Sequence, residues 1–158
     1  LYFGLMLTEK GPKVIEYNCR FGDPETQVVL PLLETDLFTI MQAVANGTLD
    51  QVDVRFKNEA ACCVVMASNG YPQKYETGFE ITVDDDCTAE IYVAGAKKDE
   101  AGRLLTAGGR VLGVTATGPR PTNALSHAYE AAEKISFEKL HKRSDIGLRA
   151  LKALAEKQ

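Results

Sequence analysis

The chain has no tryptophan, only two histidines and only four cysteines. Each scarcity closes off a class of function. Cys19, Cys62, Cys63 and Cys87 show no C-x-x-C spacing, and two of them are adjacent inside an apolar run. Neither a structural zinc site nor a disulfide framework is indicated, and reduced thiols of a cytoplasmic protein fit better. His127 and His141 have no metal-ligating partner four residues away, which leaves them as surface or interface residues. The longest unbroken apolar stretch, 60–67, is eight residues, far short of the roughly 20 a membrane helix needs. The 18 basic residues are scattered against 22 acidic ones, for a net charge of −4, so no basic stripe for nucleic acid exists. The opening Leu1-Tyr2-Phe3-Gly4-Leu5-Met6-Leu7 carries no initiator methionine and no basic lead-in. It is expected to be an interior strand cut at its start rather than a signal peptide, and the chain is expected to be a fragment.

What is present suffices for a packed core. Of 158 residues, 45% are apolar and 25% charged, the proportions of one small domain with a piece of another attached. Residues 1–8 and 13–20 read as an antiparallel hairpin joined by the four residues Glu9-Lys10-Gly11-Pro12. Asp23 and Pro24 predict a helix start, as N-cap and first helical residue, and Pro31 should kink or end that helix. A second helix is predicted over 36–46, between the cap Asp36 and the stop Gly47.

From about residue 58 the pattern changes to short strands at 60–67, 79–83, 90–94, 103–106 and 110–116. Gly108-Gly109 between the last two predicts a hairpin turn, with Arg110 expected to make a contact across the cleft to domains that precede this stretch. Tyr71-Pro72 reads as a rigid turn, Lys97-Lys98-Asp99-Glu100 as a solvated loop, and Cys62 and Cys63 as small core residues on opposite strand faces. A helix is predicted over 122–134. The closing helix, 145–157, carries an apolar stripe through Ile146, Leu148, Leu151, Leu154 and Ala155. The fold class is therefore α+β: a hairpin with helices over 1–51, then a small α+β unit with an antiparallel sheet over 52–158.

The sharpest chemical feature is Val14-Ile15-Glu16-Tyr17-Asn18-Cys19-Arg20. On a regular strand Val14, Glu16, Asn18 and Arg20 share one face. Glu16 and Asn18, about 7 Å apart along such a strand, could both reach one divalent cation, since Mg²⁺ takes a few protein oxygens plus nucleotide phosphates. Arg20 would then face phosphoryl or acyl-phosphate oxygens. A solvated strand face with a Glu–Arg pair explains the same residues, and on this motif alone both readings stand.

The residues that follow narrow the choice. Glu16-x-Asn18-x-Arg20-Phe21-Gly22-Asp23-Pro24-Glu25-Thr26-Gln27, preceded by Gly11-Pro12-Lys13-Val14, resembles the metal-binding strand and substrate loop of ATP-grasp ligases, in particular the phosphoribosylamine–glycine ligase family. The resemblance continues through Val28-Val29-Leu30-Pro31, Ser68-Asn69-Gly70-Tyr71-Pro72, Gly108-Gly109-Arg110-Val111-Leu112 and Asp145-Ile146-Gly147-Leu148-Arg149-Ala150, and covers essentially the whole chain. It implies an ATP-dependent ligation of glycine to 5-phosphoribosylamine through a glycyl phosphate, in purine biosynthesis. It further implies Glu16 and Asn18 as Mg²⁺ or Mn²⁺ ligands, Arg20 as the oxyanion-stabilising catalytic residue, and Asp23 and Glu25 on the loop near the amine-bearing substrates. Residues 1–51 would be the end of the ATP-grasp catalytic domain and 52–158 the C-terminal domain. The glycine-rich phosphate loop and the adenine pocket would precede Leu1, so that this stretch alone does not turn over. Two other expectations are a different ATP-grasp ligase, such as a carboxylase-type purine enzyme, and a non-catalytic folding or association module. The strand 1–7, if left unpaired on one edge, is expected to invite dimerisation.

Overall fold

Order along the chain follows the apolar pattern closely in the middle and loosely at both ends. A computed structural model describes residues 2–156. Leu1 and Lys157, the expected first residue of the hairpin and last residue of the closing helix, lie outside the described residues. The elements are β1 (Tyr2–Thr8), β2 (Gly11–Asn18), α1 (Thr26–Val29), α2 (Leu37–Asn46), β3 (Ala60–Ser68), β4 (Thr82–Val83) and β5 (Glu90–Val93). They continue as β6 (Ala96–Lys98), β7 (Leu104–Thr106), β8 (Arg110–Gly118), α3 (Pro121–Glu133), β9 (Ile135–Ser136), β10 (Leu140–Lys142) and α4 (Leu148–Ala155). This is the α+β architecture anticipated. Among the described residues no helix is long and apolar enough to cross a membrane.

The centre is a four-stranded antiparallel sheet in the order β10-β3-β8-β5. Strands β3 and β8 are apolar on both faces because both are covered. On one face lies α3, whose Ala124, Ala128, Ala131 and Ala132 are buried at helical spacing, so the helix axis can approach closely over Cys62 and Val64. On the other face lies the short α1, whose Gln27 side chain approaches Gly113 of β8. Met66, Val111, Leu112 and Val114 complete a core together with Ile135 and Phe137.

Several expectations give way here. The hairpin connection is two residues, Glu9 and Lys10, because Gly11 adopts a φ of +89° and already pairs with Thr8. The helix after the hairpin starts at Thr26 with Glu25 at its cap position. Asp23 does not cap it, since its carboxylate is drawn into tertiary contacts instead. Pro31 does end the helix, which passes into a 3-10 turn over Leu30–Leu32. Asp36 caps α2, accepting from the Thr39 N–H at 2.8 Å, and Gly47 ends it in the left-handed region.

The largest correction concerns Gly108-Gly109. It is not a hairpin turn: β7 pairs with β6, whereas β8 pairs with β3 and β5. Neither glycine has a positive φ. They are glycines because other atoms fill the side-chain space: the Gly95 backbone beside Gly108, and the Tyr71 ring beside Gly109. Strands β6, β9 and β10 carried no usable sequence signal at two or three residues each, and Lys97-Lys98 belongs to β6 rather than to a loop.

Candidate functional site

Strand β2 begins the site. Its pairing with β1 slips between Gly4 and Leu5: Gly4 opposes Glu16 and Leu5 opposes Val14, so Ile15 is a bulge. Cross-strand partners share a face, and Gly4 and Leu5 face opposite ways. Val14 therefore leaves the face it was expected to share with Glu16. Asn18, opposite Tyr2, stays on the Glu16 side. Phe3 and Tyr17, paired between them, occupy the reverse face with their rings edge to face at 5.3 Å.

Gly4 makes room for the acid. A Cβ there would stand 2.9 Å from Glu16 Cγ, so the Glu16 side chain lies across the neighbouring strand at this point. The Asn18 side-chain amide is withdrawn from solvent and its nitrogen has no hydrogen-bond partner among the described residues. Leaving such a group unpaired costs about 1–3 kcal/mol. The amide's carbonyl oxygen and the Glu16 carboxylate are oxygen donors that belong to the same strand face. Two hard oxygen donors on one strand face suit Mg²⁺ or Mn²⁺. Among the described residues no group of three or more His, Cys, Asp or Glu is placed to hold a metal ion.

Arg20 lies past the end of β2, and its Nη1 donates to the Phe21 carbonyl at 2.9 Å. The arginine is thus not on the strand face, as simple alternation had it, but in the bend that follows. It remains exposed, with donors to spare.

Asp23 turns the other way, toward the C-terminal sheet. Its Oδ1 accepts from Gln27 Nε2 at 2.8 Å, its Oδ2 pairs with Arg110 Nη2 at 3.1 Å, and its carbonyl accepts from Arg110 Nη1 at 3.0 Å. Among the described residues no hydrogen bond joins Glu16 or Asn18 to Asp23. Glu25 folds back over Gly22, where any side chain would strike its carboxylate, and borders an apolar cavity of about 340 Å³ with Val28, Leu125 and Ile146. The five residues named from sequence therefore form two groups: Glu16 and Asn18 on the hairpin, Asp23 and Glu25 on the loop below, with Arg20 in the bend between them.

Other reactive side chains fall out of contention. Cys62 is buried under α3, where burial pushes its thiol up. Cys63, on the opposite face, is raised by burial, partly offset by the Thr115 hydroxyl and raised further by Asp23. Both are protonated at neutral pH and so are poor nucleophiles. His127 lies 3.2 Å through Nδ1 from the Thr117 carbonyl, beside an open cleft of about 710 Å³. Arg110 is the functional candidate whose partner sequence reasoning missed. The only signal was its position after two glycines, and the partner lies 87 residues away.

Residues 61–149 match the family model described as phosphoribosylglycinamide synthetase, C domain, and residues 1–26 match its ATP-grasp (A) domain. A phosphoribosylamine–glycine ligase from Caldanaerobacter subterraneus is 47% identical over 147 residues, covering 92% of this chain and 35% of that protein. A trifunctional purine biosynthetic protein, adenosine-3, from Gallus gallus is 48% identical over 161 residues, covering 99% of this chain and 16% of its own length. The crystal structure of phosphoribosylamine–glycine ligase from Thermotoga maritima matches with a TM-score of 0.75 at 39% identity, over 90% of this chain and 35% of that one. The chain spans about a third of the length of the single-function relatives it matches. With more than half its residues under the C-domain model and its hairpin under the A-domain model, the chain belongs to the phosphoribosylglycinamide synthetase family.

Proposed function

We propose that this chain is the C-terminal part of an ATP-dependent ligase that joins glycine to 5-phosphoribosylamine through a glycyl phosphate. The product would be glycinamide ribonucleotide, in purine biosynthesis. The observation that carries the reading is the shared face of Glu16 and Asn18, with Gly4 cleared beneath the acid and the Asn18 amide left without a partner.

In this reading Glu16 and Asn18 would hold a Mg²⁺ or Mn²⁺ ion, which when bound neutralises charge on the ATP phosphates. Arg20 would direct its free N–H groups at the acyl-phosphate oxygens. Asp23 and Glu25 would order the loop beside the amine-bearing substrates. ATP, glycine and 5-phosphoribosylamine bind only in the longer protein, whose preceding domains would supply the phosphate loop and adenine pocket. The exposed apolar side chains of the hairpin and of Phe38, Met41 and Val44 on α2 suit burial against those domains. We place the division between the catalytic and C-terminal domains near Gln51. Four free cysteines suit a cytoplasmic location.

The test is Glu16→Ala in the full-length protein. Ligation is expected to fall at least about a thousandfold, equivalent to ~4 kcal/mol, with an unchanged thermal midpoint, because Glu16 is exposed on a two-stranded ribbon. Normal turnover by this variant would refute the metal assignment.

A further inference from the structure

The corner that carries Arg110 is built more tightly than its exposed position requires. Ser68 holds it twice, its N–H donating to the Gly109 carbonyl at 2.8 Å and its hydroxyl to the Gly108 carbonyl at 2.9 Å. Gly95 holds it from the other side: its N–H donates to the Arg110 carbonyl at 2.8 Å, and its carbonyl accepts from the Ala107 N–H at 2.7 Å. The Tyr71 ring fills the space beside Gly109. With its backbone fixed at each flank, Arg110 sends its guanidinium in one direction, and that direction ends on Asp23.

There the planar fork meets two acceptors of a single residue, the carbonyl and Oδ2, while Gln27 takes Oδ1. Both side chains of the ion pair are about half-exposed, so the pair adds little to global stability. Its value is directional: a guanidinium bridging two oxygens fixes orientation in a way that a point charge cannot.

We infer that Arg110 is a positioning residue: from the C-terminal sheet it sets the loop 21–27 behind the metal-bearing strand, and so presents Asp23 to the amine-bearing substrate in one orientation. The identity of that substrate rests on the ligase reading above. The clasp itself does not.

The experiment uses the full-length protein with Arg110→Ala, Arg110→Lys, Asp23→Ala and the double variant R110A/D23A. Both Arg110 variants are expected to lower kcat/KM for 5-phosphoribosylamine about 10- to 100-fold, with the KM for ATP unchanged. Lysine should fail to rescue, since it cannot bridge two acceptors. The double variant should be no worse than Asp23→Ala. Hydrogen exchange should quicken at the Thr26, Val28 and Val29 amides, which are bonded within the loop, and stay unchanged in α3. Should Arg110→Ala fail to fold, Arg110→Lys carries the whole test. Unchanged exchange in the loop, full rescue by lysine, or losses that multiply in the double variant would each overturn the inference. If the parent protein forms no glycinamide product while loop exchange still responds, the ligase reading fails and the clasp stands.

Discussion

The hairpin β1–β2 and the strand pair β3–β8 are both antiparallel ribbons of apolar-rich sequence, yet they are stabilised in opposite ways. In β3 and β8, Val64, Met66, Val111 and Val114 are 0% exposed, covered by α3 on one face and α1 on the other. In the hairpin, Leu7 is 83% and Ile15 63% exposed, and among the described residues each strand packs chiefly against the other. The pair we propose as metal ligands, Glu16 and Asn18, lies in the region without a core of its own. The meeting point of the two regions is the loop 21–27, held to β8 by Arg110. The lesson is that apolar patterning reports which surfaces are to be buried, and not where the covering atoms come from. The hairpin's pattern suits the covering domains proposed above.

That contrast can be broken by substitutions on either side. Met66→Ala should destabilise by about 3 kcal/mol, because it opens a cavity at a fully covered site. Leu7→Ala in this chain should change stability by less than about 0.5 kcal/mol. Chemical denaturation measures both, and equal losses would erase the distinction. In the full-length protein the Leu7 effect should grow if the preceding domains cover the hairpin, as we propose.

A smaller effect is expected at the junction. Gly109→Ala should cost about 1–3 kcal/mol, since its Cβ meets the Tyr71 ring. Pairing it with Tyr71→Ala should recover part of that loss, and a double-mutant cycle checks this.

The smallest effect is a pH dependence confined to the covered sheet. Burial raises the folded-state thiols of Cys62 and Cys63 above their ordinary value of 9.0. A raised group binds its proton more tightly when folded, so its contribution is fully present below that value and is lost as pH rises toward the folded one. Stability should therefore decline above about pH 9, and less steeply in Cys62→Ala.

Much of the chain was legible because its signals are local. Asp36 and Gly47 bound α2 as a capped helix should be bounded, and the alanine spacing of α3 marks its buried face. The face shared by Glu16 and Asn18 follows from strand alternation, and even the bulge at Ile15 leaves it intact while moving Val14 away. What failed to show was decided by partners distant in sequence. Asp23 looked like a helix cap, because its competitor for the carboxylate, Arg110, is far along the chain. Gly108-Gly109 looked like a turn, because nothing nearby reveals that Gly95 and Tyr71 occupy the missing side chains' space. Strands of two or three residues, such as β9 and β10, are too short to show a period at all.

By itself the sequence determined the α+β class, the strand that sets an acid beside an amide, and the bounds of α2, written in its Asp36 cap and Gly47 stop. These depend on backbone geometry, which repeats every few residues. Tertiary structure alone decided that the loop's aspartate answers to an arginine on another sheet, and that two glycines yield space rather than turn the chain. Contacts of that kind are set by which surfaces meet in space, and no local pattern records them.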